Sequence, residues 1–269
     1  MLLTLPACVK YDDPATGGDT EATGTTTGTT GTTAAATTAA STAEPTTGGG
    51  GGGECDLWQQ DCAGGMKCAP YDSMQIGVVD ATRCVEVADP AGEAGDPCRL
   101  EGGVVGLDDC APGLLCWLLD GEGNGTCTPL CKGSPEEPTC DDGLVCDISN
   151  GGLLPLCLTS CHPLAKDCPQ GQICLLSMAE TFVCDSDASG EEGQIGDPCE
   201  YINVCDPGLL CLASTHTPGC SAPGCCTSYC DLSDPNAQCP YAQQECLPYF
   251  PNNMAPPGYE NVGFCGIKD

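Results

Sequence analysis

Cysteine offers this chain most of its chemistry: 27 cysteines stand among 269 residues, beside only two histidines. A thiolate can attack a carbonyl, hold a soft metal or exchange with a disulfide, and each use demands its own surroundings. Zinc, iron-sulfur and thioredoxin-type sites draw two sulfurs from one tight turn, as C-x-C or C-x-x-C. Neither spacing occurs in the sequence. Disulfides are therefore the expectation, ahead of metal-thiolate binding, and no metal site is expected. His162 and His216 lie in no hydrolase or metal motif. His162 follows Cys161, but a bonded sulfur has no thiolate to act as nucleophile. No G-x-S-x-G, H-E-x-x-H, P-loop or G-x-G-x-x-G context is present. No catalytic residue and no cofactor are expected, and the chain does not read as an enzyme. Acidic pairs such as Asp108-Asp109 and Asp141-Asp142 offer carboxylates to Ca²⁺, yet without EF-hand spacing they read as solvated surface.

The elements that position these cysteines come from a repeat. The second and third cysteines of a four-Cys unit flank five residues with Gly at the centre. The copies are Cys62 to Cys68 around Gly65, Cys110 to Cys116 around Gly113, Cys140 to Cys146 around Gly143, Cys168 to Cys174 around Gly171 and Cys205 to Cys211 around Gly208. A sixth copy, Cys239 to Cys246, is one residue longer and lacks the Gly. The units read as Cys55, Cys62, Cys68 and Cys84; Cys98, Cys110, Cys116 and Cys127; Cys131, Cys140, Cys146 and Cys157; Cys161, Cys168, Cys174 and Cys184; Cys199, Cys205, Cys211 and Cys226; and Cys230, Cys239, Cys246 and Cys265. Cys220 and Cys225 are left over in an insertion of the fifth unit, where they are free to pair with each other.

Gly at the middle position takes positive φ without a Cβ clash and swings the chain back toward the next Cys. After the third Cys comes a short apolar stretch, then turn residues such as Gly123-Asn124-Gly125 or Asn150-Gly151-Gly152, then the fourth Cys. That pattern predicts a β-hairpin. Each unit is thus a loop plus a small two-stranded finger, marginal without its staples. Three-residue joints such as the one between Cys127 and Cys131 couple neighbours rigidly. Gly95-Asp96-Pro97-Cys98 and Gly196-Asp197-Pro198-Cys199 each follow an acidic stretch and mark restarts. The head divides into 55–97 with one unit, 98–198 with three and 199–269 with two plus the extra Cys pair, an array expected to make its contacts between neighbours.

Composition agrees with a small, disulfide-rich fold class. Aromatics are only 4% of the chain, so core is scarce and covalent staples must compensate. A bridge closing a loop of about 15 residues contributes on the order of 3 kcal/mol. Cysteine at this density points to an oxidising, extracytoplasmic compartment. The formal charge of -31, from 38 acidic residues against seven Lys and Arg, excludes nucleic acid as a partner. It is compatible with a soluble, self-repelling surface, with Ca²⁺ or with cationic partners.

Residues 12–54 are almost entirely Thr, Gly and Ala, without one Leu, Ile, Val, Met or aromatic residue. With no apolar area to offset ordering entropy, 9–54 is expected to be a disordered linker, reaching roughly 35 to 40 Å as a flexible chain. Ahead of it, 1–8 reads MLLTLPAC, an apolar run ending in small residues before a Cys. It resembles the end of a bacterial lipoprotein signal peptide, with Leu5-Pro6-Ala7-Cys8 as the lipobox. The resemblance implies cleavage behind Ala7, lipidation of Cys8 and, with Val9 following, an outer-membrane or cell-surface destination. Parity agrees, because setting Cys8 aside leaves an even number of cysteines, all in the head. No apolar stretch approaches the 18 residues of a membrane-spanning helix.

The phrase Gly-Asp-Pro-Cys199, five residues, then Cys205-Asp-Pro-Gly-Leu-Leu-Cys211 resembles the cysteine-rich fingers of the Dickkopf, prokineticin and colipase group. Four cysteines alone allow three pairings. In that group the first Cys pairs with the third and the second with the fourth, which implies Cys199 with Cys211 and Cys205 with Cys226. The last unit has the longest gap between third and fourth Cys, and it carries Tyr249, Phe250, Tyr259 and Phe264. These are candidates for contact with a partner, or for cover over a thin core. The functional expectation is a lipid-anchored surface module that binds a protein or glycan or serves as a structural spacer. The alternatives are a secreted, stapled inhibitor of proteases or other enzymes, and a Ca²⁺-binding surface protein.

Overall fold

The computed structural model describes residues 54–268, except 75–77, 102–104, 142 and 252–253. The lipobox with Cys8 and the linker as far as 53 lie outside the described residues, as does Asp142. What is described is a disulfide-rich, nearly all-β head of short antiparallel sheets.

Each unit folds from its turn outward. In five units an N–H···O bond closes a turn around the central Gly: Met66 N to Ala63 O, Leu114 N to Ala111 O, Leu144 N to Asp141 O, Gln172 N to Pro169 O and Leu209 N to Asp206 O. The glycines have φ of +85° at Gly65, +76° at Gly113, +86° at Gly143, +81° at Gly171 and +91° at Gly208. Positive φ at the third residue is what a type II turn requires. The sixth unit closes the equivalent bond, Gln244 N to Tyr241 O, with no positive φ between them, so it needs no Gly.

From the turn the chain enters a hairpin. The pairs are β1 (Met66–Tyr71) with β2 (Ala81–Glu86), β4 (Leu114–Trp117) with β5 (Asn124–Pro129), β8 (Leu144–Ser149) with β9 (Leu154–Thr159), β10 (Gln172–Leu176) with β11 (Phe182–Ser186), β13 (Leu209–Ala213) with β14 (Gly224–Asp231), and β15 (Glu245–Pro248) with β16 (Val262–Gly266). In all six, the third and fourth cysteines of the unit stand directly opposite: Cys68 faces Cys84, Cys116 faces Cys127, Cys146 faces Cys157, Cys174 faces Cys184, Cys211 faces Cys226 and Cys246 faces Cys265. Facing cysteines are not bonded to each other. Each reaches back to the loop, the third to the first and the fourth to the second.

Three units carry strands beyond the two expected. The Gly-Asp-Pro-Cys phrases supply β3 (Pro97–Arg99), which joins β5, and β12 (Pro198–Cys199), which joins β14. The phrase locks itself down identically in both places. Gly95 N donates to Cys127 O and Cys127 N to Asp96 O, while Gly196 N donates to Cys226 O and Cys226 N to Asp197 O. In the third unit β6 (Lys132–Gly133) pairs with β7 (Pro138–Thr139) inside the loop. The fifth and sixth units fuse, because β14 runs on past its own hairpin and pairs with β16 through Tyr229, Cys230 and Asp231. Shorter versions of this joint follow the second and third units, as single bridges of Leu130 to Leu156 and Ser160 to Val183.

The array coils, so contacts do not stop at nearest neighbours. The Asn150 side chain of the third unit donates to Val79 O of the first. Trp117 Nε1 of the second donates to Asp185 Oδ1 of the fourth at 2.8 Å. Tyr259 Oη of the sixth donates to Cys161 O of the fourth at 3.1 Å. This departs from the neighbour-only expectation, and the reason is core supply: the first four units pool their apolar residues, while the fifth keeps a small cluster of its own. The largest cluster accordingly pools Leu57 and Val79 of the first unit, Leu115 and Trp117 of the second, Leu154, Leu156 and Leu158 of the third and Val183 of the fourth.

Candidate functional site

The groups with potential chemistry are the sulfurs, two histidines and a few enclosed carboxylates. The described cysteines form thirteen disulfides. Twelve repeat one pattern. Cys55 bonds Cys68 and Cys62 bonds Cys84; Cys98 bonds Cys116 and Cys110 bonds Cys127. Cys131 bonds Cys146 and Cys140 bonds Cys157; Cys161 bonds Cys174 and Cys168 bonds Cys184. Cys199 bonds Cys211 and Cys205 bonds Cys226; Cys230 bonds Cys246 and Cys239 bonds Cys265. The order, first to third and second to fourth, is the one the finger resemblance implies for the fifth unit. The thirteenth bridge joins Cys220 to Cys225.

Within a unit the sulfurs crowd together. Those of Cys98, Cys110 and Cys116 lie within 4.8 Å of one another, and a cluster in the fourth unit adds an Asp167 oxygen to Cys161, Cys168 and Cys174. A cysteine sulfur ligates a metal as the thiolate, and these sulfurs are bonded in disulfides. Many disulfides place the folding of this head in an oxidising environment, consistent with an extracytoplasmic location.

Both histidines hold chain segments together. Leu164 N donates to His162 Nδ1 at 3.3 Å, so the proton sits on Nε2, which meets Gly258 O at 3.1 Å. His162 also lies against Tyr259, centroids 5.5 Å apart. His216 Nδ1 lies 3.3 Å from Ile267 O.

Of the acidic pair at 108–109, Asp109 is exposed as expected, and Asp108 departs from the expectation of solvated surface. The Asp108 side chain is 0% exposed and pairs with Lys67, itself 1% exposed. Lys67 Nζ also donates to Cys110 O at 3.0 Å and Leu114 O at 3.3 Å. Asp108 accepts Cys110 N at 2.9 Å and Cys116 N at 3.1 Å. The pair clamps the first unit onto the second across the break at 85–97, which the sequence marks as a restart. Asp141 does face solvent, 2.8 Å from Lys132 Nζ.

A second carboxylate group forms where three units meet. Asp185 accepts Trp117 Nε1 and Ser186 N, and Asp147 of the third unit accepts Met178 N of the fourth at 3.1 Å. Burial pushes the Asp185 carboxyl above its ordinary range, against the two N–H donors that favour its charge. Burial likewise raises Asp147, opposed by the Met178 N–H and reinforced by the charge on Asp185.

The four aromatic candidates come together at the joint of the fourth and sixth units. Tyr259, Tyr249 and Phe250 surround the fully buried Phe182, with centroids 5.0, 5.6 and 6.3 Å away. Phe264 packs edge-on to Tyr249 at 6.5 Å. Each is partly buried, so these rings face the core of the joint more than the surroundings. Large apolar side chains are exposed instead at loop tips: Met74 in the first unit, Met178 in the fourth and Met254 in the sixth. Nothing in the spacing of these methionines singles them out.

No family model, curated protein or solved structure matches this chain.

Proposed function

We propose that this chain is a surface-displayed, lipid-anchored module whose rigid head binds a protein or glycan or spaces one from the membrane. The observation that carries the reading is that the described sulfurs are paired in disulfides and the histidines are engaged in packing, so the head offers shape and charge where an enzyme would offer reactive groups. The Thr/Gly/Ala-rich linker supports display, and the lipobox-like Leu5-Pro6-Ala7-Cys8 supports attachment through a lipid on Cys8. The strongly acidic surface and the outward methionines at loop tips are the features a partner would meet.

Detergent phase partitioning of the protein from its host tests the anchor. The full chain is expected in the detergent phase and a Cys8→Ser variant in the aqueous phase. Equal partitioning of both would overturn the lipid anchor.

A further inference from the structure

Twelve of the thirteen disulfides belong to the repeated framework, and Cys220–Cys225 does not. We propose that this bridge is a thiol-exchange site: an external dithiol opens it while the framework stays closed, and opening releases the C-terminal segment from the loop at 214–223.

Cys220 and Cys225 are separated by 5 residues, whereas framework separations run from 12 to 26. The restriction a bridge places on the unfolded chain grows with the loop it closes, so this one contributes least. Local structure points the same way. Each framework bridge ties a hairpin cysteine back to an earlier cysteine of its unit, whereas Cys220–Cys225 closes a stretch within the insertion alone. Cys225 lies in β14 opposite Leu212, but Cys220 sits in an irregular stretch, its N–H donating to Thr217 O at 3.3 Å. Opening it therefore removes no link between a unit's loop and its hairpin.

Access selects the sulfur attacked. Cys220 is partly exposed and Cys225 is only 2% exposed. A reductant thiolate attacks Cys220 Sγ, the bond to Cys225 breaks, and Cys225 departs as a thiolate that takes a proton from solvent. The reductant's second thiolate then attacks the mixed disulfide and frees Cys220. The bridge gains two electrons, and two thiols of the reductant become one disulfide.

The loop held by this bridge grips the end of the chain. Its 3-10 turn, Ser214–His216, accepts Ile267 N at His216 O, 2.9 Å away, and places His216 Nδ1 against Ile267 O. Ser214 N to Pro223 O, 3.0 Å, closes the loop base. Opening the bridge frees the loop's far side, while Cys199–Cys211 and Cys205–Cys226 still staple the unit beneath it.

The test is graded dithiothreitol on the native full-length protein, then iodoacetamide labelling with peptide mapping and hydrogen exchange. Cys220 and Cys225 are expected to be labelled at doses that leave the framework cysteines unlabelled, with Ile267 amide protection falling about tenfold. A framework pair labelled first, or all pairs labelled together, would overturn the exchange site. A Cys220→Ser, Cys225→Ser double variant should keep its twelve other bridges and show the same loss at Ile267. Unchanged Ile267 protection in that variant would overturn the latch.

Discussion

Replacing Lys67 by Met keeps the length of the side chain and deletes its charge, leaving Asp108 buried with two backbone N–H donors and no cation. Exposed ion pairs contribute about 0–1 kcal/mol because water screens them. Here the side chains are 1% and 0% exposed, so the cost is that of orphaning a buried charge, about 3–5 kcal/mol. In guanidinium chloride, with disulfides intact, this corresponds to a midpoint lowered by about 1 M. Trp58 and Trp117 both contact the pooled core of the first four units and report the transition by fluorescence. A Lys67→Met, Asp108→Leu double variant removes both charges and is expected to recover most of the loss, as buried pairs replaced by apolar groups commonly do. A single-variant cost below about 1 kcal/mol would place the pair in the solvent-screened class and refute the clamp.

Other outcomes follow from the same geometry. Asp147 and Asp185 have folded carboxyls raised above the ordinary 3.8, first by burial, so their protonated forms suit the fold. Their contribution to stability is complete below 3.8 and is lost as pH rises through the folded values. Denaturant midpoints should therefore be higher at pH 4.5 than at pH 7, and Asp147→Asn should raise stability at pH 7; a midpoint that falls on acidification across this window contradicts the assignment. Asp120 and Asp231 are lowered, chiefly by bonds from Asn124 and Ser233, so their contribution is present above 3.8 and lost only in stronger acid. Gly143→Ala should cost about 1 kcal/mol from its φ of +86° alone, since a Cβ there meets nothing within 4 Å; an unchanged thermal midpoint would remove the conformational role of the repeat glycine. Tyr259→Phe loses the hydroxyl that donates to Cys161 O, and calorimetry should show a loss of about 1 kcal/mol; no loss would mean the joint rests on ring packing alone.

The fingers are legible in the sequence because each rests on a local rule. A Gly between two cysteines reports positive φ, and an apolar run followed by turn residues reports a hairpin. The details show the limit of local rules. Asn150-Gly151-Gly152 does form the turn, with φ of +50°, +66° and +94°. Asn124-Gly125, of similar composition, lies inside β5 because Asp120 accepts Glu122 N and Asn124 N and closes the turn earlier. The repeated Gly-Asp-Pro-Cys phrase is visible, but its work as a third strand depends on pairing with residues 25 to 29 positions later. Lys67 with Asp108 and Trp117 with Asp185 are less visible still. Their separations of 41 and 68 residues carry no periodic trace, since they depend on how the array coils. The aromatic cluster was half legible: a long loop rich in rings is apparent, while Phe182, its centre, sits in another unit.

Peptide mapping under non-reducing conditions, after native alkylation of the intact protein, reads directly whether the head is stapled by disulfides. No label is expected on any cysteine from Cys55 to Cys265, with first-to-third and second-to-fourth links in all six units and a separate Cys220–Cys225 link. Alkylated framework cysteines, or zinc released in their place, would contradict a stapled head built for an oxidising exterior.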